Sequence, residues 1–368
     1  MENTNINIPV TTVDSFVETM TRLYANAINA GMSLRMIPVP FLWGAPGVGK
    51  SDGVRQLADN LSEQTGKRVI VTDVRLLLFS PVDLRGVPVA DQNREFTNWL
   101  RPRIFHMDDA DDCVNILFLD ELSAAPQSVQ AAAYQICLDR RVGEHELPEN
   151  CIVISAGNRT TDRSVSYKMP KALCNRLMHF GIEPSYTQWK RWALAHDIDE
   201  RIIGFLSFDN SRLCVEPESS DLAYPTPRSW SFVSRVIQGE QDLKKVHMLI
   251  ASCVGVDTAL CFEEWCRVFR ELPDTQDIIA GKCHQYPKNY DALYALIASL
   301  SSAVYRMKNE LTESEIDHIC TYAVRFPSDF AVSFFGDLNR DKTVRLKLMN
   351  CRLFGAWLHK NRSAIKAI

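Results

Sequence analysis

The sequence predicts a three-layer α/β domain built on a parallel sheet, followed by an all-helical domain. Three observations carry this. Five short apolar runs fill the first half, helical periodicity appears between them, and strand signals fade beyond about Pro184. The runs are Met36 to Trp43, Arg68 to Val74, Asn115 to Leu119, Cys151 to Ala156 and Leu177 to Ile182, near-continuously apolar as strands buried on both faces are. After the first, Val54, Leu57, Ala58 and Leu61 recur at helical spacing; after the third, Val129, Ala133 and Ile136 do so. This is the βαβ rhythm of a sheet covered by helices on both faces.

In the second half, Ser185 with Gln188 forms a predicted capping box for a helix carrying Trp189, Trp192 and Ala193 on one side. Thr226 followed by Pro227 reads as an N-cap with proline at the first helical position, which sets Arg228 in the first turn. Further helices are expected around 256–270, 289–308, 312–325 and 343–359. The expected domains are therefore 1–184, α/β, and 185–368, a helical lid domain with a C-terminal helical extension.

Lys and Arg number 41 against 45 Asp and Glu, a net charge of −4 with no block of like charge, whereas a dedicated duplex-DNA binder is usually more basic. The first residues lack the basic start and apolar run of a secretory signal. Apolar stretches such as Cys113 to Leu119 are too short to cross a bilayer, and the longer one near Met248 is broken by Asp257. A cytoplasmic protein without a membrane span is expected. The 11 cysteines include no C-x-x-C pair, so they read as free thiols in core positions rather than as disulfides or a zinc site.

Gly44-Ala45-Pro46-Gly47-Val48-Gly49-Lys50-Ser51 fits G-x-x-x-x-G-K-[ST], after an apolar strand and before an amphipathic helix. Glycines let consecutive backbone N–H groups curl toward phosphate oxygens, and the helix N-terminus adds its dipole. Lys50 would hold the β- and γ-phosphates, and the Ser51 hydroxyl would ligate Mg²⁺. A second apolar strand ends in Asp120-Glu121, seventy positions after Lys50. Adjacent acids at a strand end point different ways, so Asp120 can hold the Mg²⁺ shell through water while Glu121 orients or deprotonates the attacking water. Alone, such a pair also reads as a solvated turn; beside the phosphate loop it reads as hydrolysis. Asn158, at the tip of the run Cys151 to Ala156, is suited either to the γ-phosphate and lytic water or to a plain turn.

In order and spacing, Gly44 to Ser51, Leu117 to Glu121, Ser155 to Asn158, Asn175-Arg176 and Pro227-Arg228 resemble the P-loop ATPases of the AAA+ family. The resemblance implies an ATP hydrolase using ATP and Mg²⁺ in a homo-oligomeric, hexameric ring, with Asn158 as sensor 1, Arg176 as the finger reaching a neighbour's γ-phosphate and Arg228 as sensor 2. Two departures stand out: Asn158 is followed by Arg159 rather than proline, and Leu173-Cys174-Asn175-Arg176 lacks the usual aspartate before the finger, which leaves Arg159 and Arg163 as rival fingers. The segment Ser80 to Pro88 with Phe96 to Pro102 looks like the helix insertion of the MoxR branch, with Gly86 and Pro88 suiting a turn and an edge strand. Its Phe96 and Trp99 would either present an apolar surface or pack beneath the insertion. Resemblance to that branch implies a chaperone-like remodeller of a protein substrate or adaptor, such as a von Willebrand factor A domain protein. A nucleic-acid motor or restriction-type NTPase using ATP or GTP is the rival, which the acidic balance disfavours.

Overall fold

A computed structural model describes residues 8–159, 167, 169–218 and 221–361. The chain divides into two compact units, Met1–Pro184 and Ser185–Ile368. The first contains β1 (Val10–Thr11), α1 (Val13–Asn29), β2 (Val39–Trp43), α2 (Lys50–Thr65), β3 (Arg68–Arg75), α3 (Pro81–Arg85), β4 (Val87–Ala90), β5 (Thr97–Leu100), β6 (Cys113–Asp120), α4 (Gln127–Asp139), β7 (Arg141–Val142), β8 (His145–Glu146), β9 (Cys151–Gly157), α5 (Lys171–Cys174) and β10 (Leu177–Ile182).

Six strands form one parallel sheet in the order β1-β10-β2-β9-β6-β3. All five predicted strands are in it, and β1 is an edge strand that the sequence did not announce. The first run starts later than expected, because Leu34–Met36 makes a 3₁₀ turn and only Val39–Trp43 pairs. One apolar layer beneath α1 and α2 holds Val54, Leu57 and Leu61 with Ile116, Phe118, Ile152 and Ile154. The other, beneath α4, holds Val129, Ala133 and Ile136 with Leu117, Leu119 and Val153. Successive strand residues thus feed opposite layers, which is why the runs are continuously apolar.

Between β3 and β6, α3 leads into an antiparallel hairpin of β4 and β5, with Val87 opposite Leu100 and Pro88 opposite Trp99. Leu84 and Phe105 bury its base. The tip is fixed by Asp91, whose Oδ1 accepts from the N–H groups of Glu95 and Phe96. Phe96 is 70% exposed while Trp99 is half-buried, so the two aromatics divide between the two expectations.

The second unit is helical: α6 (Tyr186–Ala195), α7 (Glu200–Phe208), α8 (Pro227–Val236), α9 (His247–Val254), α10 (Val256–Cys266), α11 (Thr275–Ile279), α12 (Tyr290–Met307), α13 (Glu313–Ala323), α14 (Ser328–Leu338), α15 (Lys342–Asn350) and α16 (Arg352–Lys360). Helix α12 is buried from Leu293 to Tyr305 on almost every side and packs against α7 and α14. Ser185 precedes α6 without a side-chain capping bond, contrary to expectation. The helix expected at 343–359 is two, because the backbone turns extended at Cys351. Among the described residues no helix is long and apolar enough to cross a membrane.

A buried ion pair crosses this core, Lys190 Nζ to Asp337 Oδ2 at 2.6 Å. Burial opposes the ammonium charge, yet Asp337 beside it holds its pKa up, at about 12. Removing Lys190 leaves the buried Asp337 carboxylate with Arg340 Nη1, 4.0 Å from Oδ1, as a more distant cation. Lys190→Met is therefore expected to destabilise the protein by about 3–5 kcal/mol, and Lys190→Met with Asp337→Leu to recover most of that loss. Denaturant titration of both variants checks this; equal losses in the two would contradict it.

Candidate functional site

Strands β2, β6 and β9 end side by side at the carboxyl edge of the sheet, with Trp43 opposite Gly157 and Leu119 opposite Ser155. Residues 44–49 leave β2 as a loop, and Lys50 opens α2. Gly47 and Gly49 take φ of +82° and +99°, left-handed values that turn the backbone into the helix and that other residues reach only with strain. Val48 is buried and anchors the loop to the core below, while the Gly44 N–H donates to the Gly157 carbonyl at 3.3 Å. Gly44, Ala45, Pro46, Gly47, Val48, Gly49, Lys50 and Ser51 thus form one continuous loop-to-helix turn at the N-terminus of α2, a geometry that concentrates N–H donors on an anion.

Several of the candidate side chains meet here. Lys50 Nζ donates to Asn158 Oδ1 at 3.0 Å and to the carbonyls of Gly44 and Ala45 at 2.5 and 3.1 Å. Ser51 Oγ donates to Asp120 Oδ2 at 3.1 Å. Asp73, on β3 beside them, has its pKa raised by burial and then by the charge of Asp120, against Arg75 and Arg55. Its Oδ1 is buried with no hydrogen-bond partner among the described residues. Hard oxygen donors on Ser51 and Asp120, in a negative field strengthened by Asp73, fit Mg²⁺.

Glu121 takes a left-handed conformation at φ +59°, on the order of 1–3 kcal/mol of strain for a residue with a side chain. Its N–H donates to Asp120 Oδ1 at 2.8 Å, and its carbonyl accepts from the N–H groups of Ala124 and Ala125. Two residues not singled out in the sequence join the site. Ser123 bonds to the Asn158 backbone, and Gly157 leaves room for it. Neither carries a local signal, since their proximity comes from the β6–β9 pairing.

Arg176 lies at the other end of the sheet. It follows α5 and precedes β10, whose Leu177 pairs with Val39 at the start of β2. With a rise of about 3.3 Å per residue, it stands about 20 Å from the loop that leaves β2, beyond reach of that loop. Arg176 is exposed, and among the described residues no ion pair holds it. The rival Arg159 is engaged within its own chain, 3.8 Å from Glu183, with its guanidinium over Gly181. Arg163 lies outside the described residues. Trp43 Nε1 donates to His179 Nδ1 at 3.0 Å, so His179 Nε2 carries the proton and donates to the Cys174 carbonyl at 2.7 Å, tying α5 to β2.

Arg228 belongs to the second unit, exposed in the first turn of α8. There Thr226 Oγ1 accepts from the Ser229 N–H at 3.0 Å and Ser229 Oγ accepts from the Thr226 N–H at 2.7 Å, the predicted cap with proline at the first helical position.

Residues 40–179 match the model of the ATPase family associated with various cellular activities (AAA). No curated protein matches the chain. Among solved structures, the chain is similar to a RuvB variant from Thermotoga maritima at 14% identity, covering 83% of this chain and 89% of that one, with a TM-score of 0.34. NtrX from Brucella abortus in complex with ATP is similar at 12% identity, 94% and 67% coverage and a TM-score of 0.34. The HORMA:CdnC:Trip13 complex of E. coli is similar at 14% identity, 71% and 89% coverage and a TM-score of 0.37. At such scores none of the three bears on function.

Replacing Lys50 with alanine removes the cation bonded to the loop carbonyls and is expected to abolish ATP binding with the fold intact. Equilibrium binding of a fluorescent ATP analogue checks this, and parental affinity in the variant would remove Lys50 from the site.

Proposed function

We propose that the chain, an ATP hydrolase whose residues 40–179 match the model of the AAA family of ATPases, works as a ring in which each subunit completes its neighbour's site and remodels a partner protein. The observation that carries this is the separation of Arg176 from the phosphate loop of its own chain by about 20 Å of sheet. An exposed planar cation there can serve a triphosphate only across an interface, where it stabilises charge spreading over the transferring phosphoryl group.

In this reading the loop from Gly44 to Gly49 cradles the phosphates of ATP with backbone N–H groups, and Lys50 leaves its carbonyl partners for the β- and γ-phosphates. Ser51 and Asp120 would hold Mg²⁺, which would supply neutralisation of phosphate charge. Glu121 orients the lytic water and accepts its proton, Asn158 turns its amide to the γ-phosphate or that water, and Arg228 keeps the sensor 2 role that the motif resemblance implies. The site needs no covalent intermediate, which suits direct hydrolysis.

The hairpin supports the remodelling half of the reading. It stands out on a short base with Phe96 and Leu100 exposed, an apolar surface for a protein rather than for a phosphate backbone. The MoxR-like assignment, a hexameric ring, a cytoplasmic setting and a partner bearing a von Willebrand factor A domain belong to this proposal on the strength of the motif resemblance.

Two variants test the interface. Glu121→Gln is expected to retain ATP while losing turnover, and Arg176→Ala to lose turnover on the order of 10³. Mixing the two inactive proteins should restore phosphate release, because an intact site on one subunit then meets an intact arginine on the other. Mixtures as inactive as their parts would count against a finger in trans, and full activity in Arg176→Ala alone would end its role.

A further inference from the structure

Ser123 has no part in the chemistry above, yet it is fully buried and both hydrogen bonds of its hydroxyl go to one residue. The Asn158 N–H donates to Ser123 Oγ at 2.9 Å, and the Ser123 hydroxyl donates to the Asn158 carbonyl at 3.0 Å. Ser123 sits two residues after Glu121, inside the turn that Glu121 opens. The ladder between β6 and β9 has its last rung at Leu119 and Ser155, before either Glu121 or Asn158 is reached. Beyond it the two segments are joined by the Leu122 N–H donating to the Ala156 carbonyl at 2.9 Å and by the paired bonds of Ser123.

The opposite wall is shaped to this hydroxyl. A Cβ on Gly157 would lie 2.5 Å from Ser123 Oγ and 2.9 Å from Cζ of Phe41, so only glycine lets the serine close on the strand end. The turn is held from its other side as well: the Ser123 carbonyl accepts from the Tyr167 N–H at 2.7 Å, and Gln130 Nε2 donates to the Ala125 carbonyl at 3.1 Å.

We infer that Ser123 is a positioning residue for hydrolysis, a hydroxyl clamp that holds the Glu121 turn and Asn158 as one body past the end of the strand ladder. The inference rests on the reading of Glu121 and Asn158 given above. Water attack requires a carboxylate and a phosphate-directed amide in fixed relation, and a displacement of about 1 Å between them can slow the step on the order of 10². Binding of ATP draws on the loop around Lys50 and is untouched by that relation.

The test uses full-length protein carrying Ser123→Ala, with Gly157→Ala as the variant that presses on the same hydroxyl from the other side. Turnover is measured beside affinity for a non-hydrolysable ATP analogue with Mg²⁺. The expected result is a fall in kcat on the order of 10² at parental analogue affinity and a parental circular dichroism spectrum. Parental kcat in a folded Ser123→Ala overturns the inference, as does a loss confined to affinity or a failure of both variants to fold, which makes the hydroxyl merely structural. Glu121→Gln run in parallel separates the two claims: parental turnover there overturns the underlying reading, whereas a dead Glu121→Gln beside a fully active Ser123→Ala overturns the clamp alone.

Discussion

The parallel register of β2, β9 and β6 is the constraint from which the candidate site follows. Three strands in one direction bring three chain turns to one edge, and each turn carries part of the site: Lys50 and Ser51 after β2, Asp120 and Glu121 at the end of β6, Asn158 after β9. Adjacent strands lie about 4.8 Å apart, so these side chains meet within hydrogen-bonding reach without any long loop. The contacts Lys50 to Asn158 and Ser51 to Asp120 are that spacing made visible. Burial of both sheet faces fixes the register, because a slip of one residue would send Ile116, Phe118, Ile152 and Ile154 into the wrong layer.

The same geometry separates what it does not join. Arg176 precedes its strand while the phosphate loop follows a neighbouring one, so the five residues of β2 separate the arginine from the phosphate loop of its own chain. Local strain gathers where the edge turns into function. Left-handed backbone at Gly47 and Gly49 uses residues that accept it readily, whereas at Glu121 a side chain is carried into that region and held there by bonds to Asp120, Ala124 and Ala125.

Local patterns were legible in the sequence and long-range ones were not. The octad ending in Ser51, the acidic pair, Asn158 and the cap at Thr226 are short motifs whose conformation is set within a few residues. Strand β1 escaped notice because two residues carry no periodicity. Helix α14 does carry a one-sided buried stripe, Phe330, Ala331, Phe334, Phe335 and Leu338, which was not singled out in the sequence. The break at Cys351 has no glycine or proline to announce it, and Asp341 caps α15 with side-chain bonds to Thr343 and Val344 that sequence spacing did not bring out. Ser123 and Gly157 are the clearest case. Each is an unremarked small residue in its own segment, and only the pairing of β6 with β9 turns them into a lock and its socket.

A site complete only across an interface has a signature that no single variant is needed to read. Phosphate release per chain from the unmodified protein, with Mg²⁺ and ATP in excess, should rise with protein concentration and level off as the assembly forms, tracking the mass seen by light scattering. A rate per chain that stays constant down to dilutions where only monomer scatters would contradict the shared site and the ring with it.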